Sequence, residues 1–398
     1  MFRRNYGPTR SFNRRPYNNG PRRFPKRIKT LSSDDPSIFI KKAVENSLVE
    51  EPVLHQSFGE FALPQQLLQN IQAKGYTIPT PIQDKTIQPM LDGRDVIGLA
   101  NTGTGKTAAF LIPIINKIFH NRTSRAIIIA PTRELATQIN GEFRSFAVGM
   151  NLYSTIVIGG TNMRRQLNDL RRSSHLIIGT PGRMKDVITQ KALSLNNFDT
   201  VVLDEVDLMM DIGFIQDVKF FISLLPKNRQ SLFFSATINT KVNEILQQFV
   251  VNPVTVSVKT QAAASNIDQN IIRIISREQK IDQLHQLLVQ EEFEKVLIFG
   301  RTKHGIEKLV KTLILRGFKV GVIHGNKSQT HRQRTLESFK RNEFKILIAS
   351  DVASRGLDIP NVSHVINYEL PENYDDYIHR IGRTGRADKP GKALTFIE

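Results

Sequence analysis

Two short runs hold residues whose types and spacing could do chemistry. The first, Ala100-Asn101-Thr102-Gly103-Thr104-Gly105-Lys106-Thr107, joins an apolar run to a helical stretch. Glycines at such a junction let backbone N–H groups close around phosphate oxygens, a lysine there reaches the outer phosphates, and the next hydroxyl can ligate Mg²⁺. Lys106 and Thr107 are those two residues, with Thr102, Gly103, Thr104 and Gly105 as the cradle; Ala100 stands where the strict pattern has Gly. The second run is Val201-Val202-Leu203-Asp204-Glu205-Val206-Asp207, an apolar segment ending in carboxylates that can hold Mg²⁺ and activate a water. Read alone, it could equally be a solvated strand end. Downstream of a phosphate loop it points to hydrolysis of a nucleoside triphosphate.

Such groups need a rigid frame, and the chain supplies a regular one. Short β-rich apolar runs alternate with helical stretches at 95–100, 126–132, 154–159, 175–180, 200–204 and 231–237. A second set follows at 270–276, 295–300, 319–325, 345–351, 364–368 and 392–397. Nearly continuous apolar strands separated by helices predict parallel sheets covered on both faces. The simplest parse is two α/β domains, 58–258 and 269–398. They are joined by a small-residue, polar linker at 259–268 and preceded by a linker or short helix at 34–57.

The 398 residues carry a net charge of +18, and residues 1–33 alone hold ten Arg and Lys and no acid. Phe2, Tyr6, Phe12, Tyr17 and Phe24 are interleaved with those cations. Cations release counterions from phosphates and rings stack on unpaired bases, so this tail is expected to be disordered and to contact nucleic acid; a solubilising arm is the alternative. The absence of Cys excludes disulfides, thiolate metal sites and cysteine nucleophiles. No apolar run approaches the ~18 residues needed to span a bilayer, and a soluble, cytoplasmic protein without membrane partners is expected.

With these pieces in place the chain resembles the DEAD-box RNA helicases of superfamily two, from about residue 58 to 397, with the motifs in the family's order. Gly75-Tyr76-Thr77-Ile78-Pro79-Thr80-Pro81-Ile82-Gln83 is similar to the adenine-reading segment, with Phe58 at the upstream aromatic position. Chemically, Gln83 could bond an adenine edge through its amide and Tyr76 could stack on the ring. Pro131-Thr132-Arg133, Gly159-Gly160 and Thr180-Pro181-Gly182-Arg183 resemble the RNA-backbone motifs of the first domain. Gly325, Gln329, Arg332 and Ser350 resemble those of the second. Such contacts constrain a strand's path without reading its sequence.

The resemblance also implies roles that residue types alone do not. Ser235-Ala236-Thr237, with Asp207 and His379, would couple hydrolysis to domain closure, and Asp358 would contact the ribose. Arg383 and Arg386 would reach the γ-phosphate as arginine fingers supplied in cis; the bland alternative is a basic turn. The implied architecture is two tandem RecA-like domains with ATP, Mg²⁺ and single-stranded RNA bound across the cleft, acting as a monomer. Lys106, Thr107 and Asp204 would hold phosphates and Mg²⁺, and Glu205 would orient or deprotonate the water. The implied activity is RNA-stimulated ATP hydrolysis with local separation of short duplexes. An ATP-gated RNA clamp and a DNA translocase are the competing readings. Three departures stand out: Val206 where the family has Ala, Gly300-Arg301 after the second strand of the second domain, and an end at Glu398 just past the last expected strand.

Overall fold

A computed structural model of the chain describes residues 39–42, 55–101, 103–172, 174–258, 266–354, 359–385 and 390–397. In the first domain, β1 (Val96–Leu99), β2 (Ala126–Ile129), β3 (Ser154–Val157), β4 (Leu176–Gly179), β5 (Thr200–Leu203), β6 (Gln230–Ser235) and β7 (Val254–Ser257) form one parallel sheet. Its order is β3-β4-β2-β5-β6-β1-β7. Every residue of β2, β4 and β5 is buried, as strands covered by helices on both faces must be. Successive side chains enter opposite cores: Ile128, Val202 and Phe234 join Phe110 and Ile139, while Ile127, Val201 and Phe233 join Met184 and Phe221.

The strand order has a functional consequence. Because β6 lies between β5 and β1, its carboxyl end stands between the phosphate loop after β1 and the acids after β5. Ser235-Ala236-Thr237 therefore lies between the two.

The second domain repeats the plan with β8 (Ile267–Arg273), β9 (Val296–Phe299), β10 (Val320–Ile323), β11 (Ile346–Ala349), β12 (His364–Asn367) and β13 (Gly391–Ile397). All pair in parallel in the order β10-β11-β9-β12-β13-β8. Among the described residues, no helix is long and apolar enough to cross a membrane.

The sequence pattern and the structure differ in three places. β7 was not among the expected strands. β8 begins at Ile267, inside the stretch read as linker. Residues 39–42, read as part of a linker, lie on the second domain: Phe39 is fully buried against Tyr377, ring centroids 4.9 Å apart, and Lys41 pairs with Gln269 on the outer edge of β8. Residues 1–38, 43–54 and 259–265, which include the basic tail, lie outside the described residues.

His364, at the start of β12, gives the fold a calculable acid sensitivity. Its ring stacks 3.9 Å from Phe293 and Nδ1 lies 3.0 Å from Ser363 Oγ. Burial, and then the charge of Lys392, hold its pKa down to about 4, with Glu292 opposing them. The unfolded chain takes up this proton near pH 6.5 and the folded chain only near 4, so the stability is whole above pH 6.5 and drains as pH falls between them. That gap corresponds to about 3 kcal/mol at its full extent. The His364→Phe variant should lose less thermal stability than the parent between pH 7 and 4.5, read as the shift in unfolding midpoint; equal losses would refute this.

Candidate active site

The phosphate loop leaves β1 through two left-handed glycines, Gly103 (φ 86°) and Gly105 (φ 92°), the latter capping the helix Lys106–His120. A Cβ on Gly105 would sit 2.4 Å from Gln83 Nε2, so glycine is needed for space as well as for φ. Gln83 is fully buried. Its Nε2 donates to the Gly105 carbonyl (3.1 Å), its Oε1 accepts from Thr80 N (2.9 Å), and Thr80 Oγ1 donates to the Thr104 carbonyl (2.8 Å). The segment resembling an adenine reader thus props the phosphate loop. Each end of the Gln83 amide has one partner within the protein, which leaves its second N–H and second lone pair as the groups that could meet an adenine edge. Phe58 is 4% exposed, and Tyr76 packs edge-on between Phe58 and Phe146 at 6.4 and 5.7 Å. His55, which the sequence reading passed over, anchors this region through Nδ1 to the buried Asp84 (2.6 Å).

Lys106 is buried, with Nζ donating to the Ala100 carbonyl at 2.7 Å, and Thr107 is half-buried beside it. The three carboxylates after β5 are also buried: Asp204 at 2%, Glu205 at 7% and Asp207 at 6% exposure. Burial raises the pKa of both Asp204 and Glu205; the neighbouring Asp204 raises Glu205 further, while Lys106 opposes both shifts. Two desolvated carboxylates beside one ammonium call for more positive charge. A threonine hydroxyl, an aspartate and a helix N-terminus are the hard-oxygen and anion-binding groups that suit Mg²⁺ arriving on nucleotide phosphates.

Glu205 holds φ 49° and ψ 54°, a left-handed conformation costing roughly 1–3 kcal/mol for a residue with a Cβ. The kink separates the roles of its neighbours. Asp204 Oδ1 accepts from the Glu205 amide (3.0 Å). Asp207 Oδ2 accepts from the amides of Ala236 and Thr237 (both 3.1 Å) and from Thr237 Oγ1 (3.3 Å), while Ser235 Oγ accepts from Asp207 N (3.3 Å). These bonds tie the acids after β5 to the end of β6. Val206 is fully buried in the adjoining core.

From the second domain, Arg383 is 2% exposed, donates Nε to the His379 carbonyl (3.2 Å), and lies close enough to Glu205 for its charge to favour the carboxylate. His379 is half-buried in the last turn of the helix Tyr374–Ile381. Arg380, which the sequence reading did not single out, is the bolt beneath them. It grips Asp351 in two bonds (2.6 and 2.8 Å) and donates to Asn367 Oδ1 and the Glu369 carbonyl. Thr102, Asp358 and Arg386 lie outside the described residues.

The residues expected along a nucleic-acid strand fall into two groups. Arg133 lies directly over Gly159 and Gly160, where added Cβ atoms would approach its guanidinium to 2.8 and 2.3 Å; the glycine pair exists to let it lie there. Pro131 and Thr180 are buried at the carboxyl ends of β2 and β4, Gly182 and Gly325 are exposed, and Ser350 is half-buried after β11. Arg183 Nη1 donates to the Thr161 carbonyl at 3.3 Å. Gln329 and Arg332 behave differently. Both are buried against the first domain, with Gln329 Nε2 3.0 Å and Arg332 Nη2 2.8 Å from the two oxygens of the buried Glu134. In this geometry they bridge the domains. Arg301 donates its amide to Glu369 and exposes its side chain, while a Cβ on Gly300 would come 2.7 Å from Ile306.

Removing Glu134 would leave an arginine and an amide buried without partners, but only when the domains are together. Breaking such a buried pair costs about 3–5 kcal/mol, so Glu134→Ala should weaken ATP-dependent closure by roughly 10²–10⁴-fold. Interdomain energy transfer between two dyes would report this, and an unchanged closed population would refute it.

Comparisons with known proteins agree with this architecture. Residues 80–245 match the family described as DEAD/DEAH box helicase, and residues 279–388 match the helicase conserved C-terminal domain. The chain is 43% identical over 342 residues to the ATP-dependent RNA helicase CshA of Limosilactobacillus reuteri, covering 85% of this chain and 69% of that protein. It is 40% identical over 342 residues to the DEAD-box ATP-dependent RNA helicase CshA of Bacillus cereus, covering 86% and 65%. The chain thus spans about two thirds of the length of the curated relatives it matches. The structure of S. cerevisiae Dbp5 bound to RNA and ADP BeF3 superimposes with a TM-score of 0.78 at 30% identity, covering 86% of this chain and 90% of that one.

Proposed function

The chain belongs to the DEAD/DEAH box helicases, and on that premise we propose that it hydrolyses ATP between its two domains and uses closure of the cleft on single-stranded RNA to separate short duplexes. The observation that carries this reading is that charges from both domains act on Glu205, Lys106 from the first and Arg383 from the second each favouring its carboxylate. Hydrolysis then depends on the domains being together, and RNA that favours closure would stimulate it.

In this reading Lys106 exchanges its Ala100 carbonyl for phosphate oxygens, with Thr102, Gly103, Thr104 and Gly105 around them. Thr107 and Asp204 would hold Mg²⁺, which supplies charge neutralisation on the phosphates. Glu205 accepts the proton of the attacking water or orients it, and Arg383 with Arg386 stabilises charge on the transferred phosphoryl group. Asp358 is assigned to the ribose, and Phe58, Tyr76 and Gln83 to the base. Asp207 passes the loss of the γ-phosphate to Ser235 and Thr237, and through His379 to the second domain. Arg133, Gly159, Gly160, Thr180, Gly182 and Arg183, with Gly325 and Ser350 opposite, line the RNA backbone. Gln329 and Arg332 are assigned to holding the closed state.

Steady-state ATP hydrolysis with and without single-stranded RNA tests the reading. RNA-stimulated turnover supports it, and turnover indifferent to RNA overturns it. A parallel duplex-separation assay distinguishes the second reading, which the buried Glu134–Arg332 bridge favours: ATP-dependent RNA retention without strand release marks a clamp.

A further inference from the structure

A groove of about 1220 Å³ runs along the outer edge of the first domain, bounded by β3 and by the helices Arg133–Phe146 and Met163–Leu170. One end is formed by Gly160 and Thr161 together with Thr330 and Gln333 of the second domain. It therefore begins where the glycine pair beneath Arg133 ends.

Its charged lining is mostly basic. Arg144, Arg165 and Arg172 face Asp169 as the one acid in the lining. Arg165 approaches Asp169 only loosely, at 4.0 Å, and among the described residues neither Arg144 nor Arg172 has an acidic partner. Tyr153, 61% exposed, sits on the wall near His175. The hydroxyls along β3 are already satisfied, Ser154 by Asn140 and Thr155 by Ser174, and Leu152, Ile156 and Ile158 line the groove between the charged groups, leaving the arginines and the Tyr153 ring as its groups open to a ligand. Unpaired arginines with an exposed ring suit a phosphate backbone bearing unpaired bases.

We infer that this groove is an additional stretch of the single-strand path, taking the RNA that continues past Gly159-Gly160. This rests on the RNA-helicase reading above. Arg144 and Arg172 bind phosphates there, and Tyr153 stacks on a base. RNA confined to the cleft would not reach them, so the groove makes affinity depend on RNA length.

The test compares the full chain with the Arg144→Gln/Arg172→Gln double variant. Each is bound to oligouridylates of about six and about fifteen nucleotides, near the short and long ends of single-strand site sizes, with a non-hydrolysable ATP analogue. Both arginines are exposed, so the substitutions should not disturb the fold. The longer oligomer should lose about tenfold in affinity, and its log K against log salt slope should flatten by about 1.4, roughly 0.7 for each phosphate contact to a single strand. The ratio of long to short affinity is the readout. Equal losses on both lengths, or no loss on the longer one, would overturn the groove assignment while leaving the helicase reading standing. A loss confined to binding of a polyglutamate peptide would overturn it in favour of an acidic protein partner. Failure of the parent chain to retain even the short oligomer would overturn both readings.

Discussion

Glu205→Gln should still bind ATP and RNA but release almost no product, with single-turnover hydrolysis down ~10²–10⁴-fold, the usual contribution of a positioned general base. The substitution keeps shape while removing the charge and the ability to accept a proton. It also removes one of three buried carboxylates crowded after β5, where burial and Asp204 both disfavour the charged form. The variant should therefore be no less stable than the parent, which separates a chemical loss from unfolding. Closure should survive too, because the links from Asp207 to Ala236 and Thr237, and from Glu134 to Gln329 and Arg332, do not involve Glu205. The measurement pairs ADP formation with ATP-dependent RNA retention. Near-parental hydrolysis would remove Glu205 from the water-activating role and leave Asp204 as the remaining carboxylate beside Lys106.

The site was legible where chemistry is local in sequence. A glycine-rich turn between strand and helix, or acids ending an apolar run, need only neighbouring residues, and the parallel sheets place those ends on one edge. What the sequence concealed depends on distant partners. Glu134 and Arg332 are 198 positions apart, and nothing in either local pattern says that one neutralises the other. The same holds for Arg380 with Asp351, and for Phe39, whose short apolar segment reads as linker until Tyr377 is seen against it. β7 escaped because it is a four-residue edge strand with two exposed positions, too little apolar signal to stand out. Gln83 is the instructive middle case. Its motif was recognisable, yet the partners of its amide in this structure, Thr80 and Gly105, follow from the fold alone.

Arg383→Ala should lower RNA-stimulated hydrolysis by about 10³–10⁵-fold, the range associated with an arginine supplied to a phosphoryl-transfer site. Arg383 is 2% exposed and, just past the helix Tyr374–Ile381, lies close enough to Glu205 of the first domain for its charge to favour the carboxylate. Its loss therefore takes a buried positive charge from the place where negative charge develops. The effect should appear in kcat far more than in ATP affinity, because Lys106 and the loop amides are untouched. Since truncating a buried arginine also leaves a gap, Arg383→Lys is the necessary companion. It retains the charge but not the planar fork, and should recover only part of the rate. If both variants unfold at the parental temperature and lose kcat in that order, the arginine acts on the transition state. If Arg383→Ala instead lowers the unfolding temperature and Arg383→Lys restores full activity, Arg383 serves packing through the His379 carbonyl, and the γ-phosphate contact would pass to Arg386 alone.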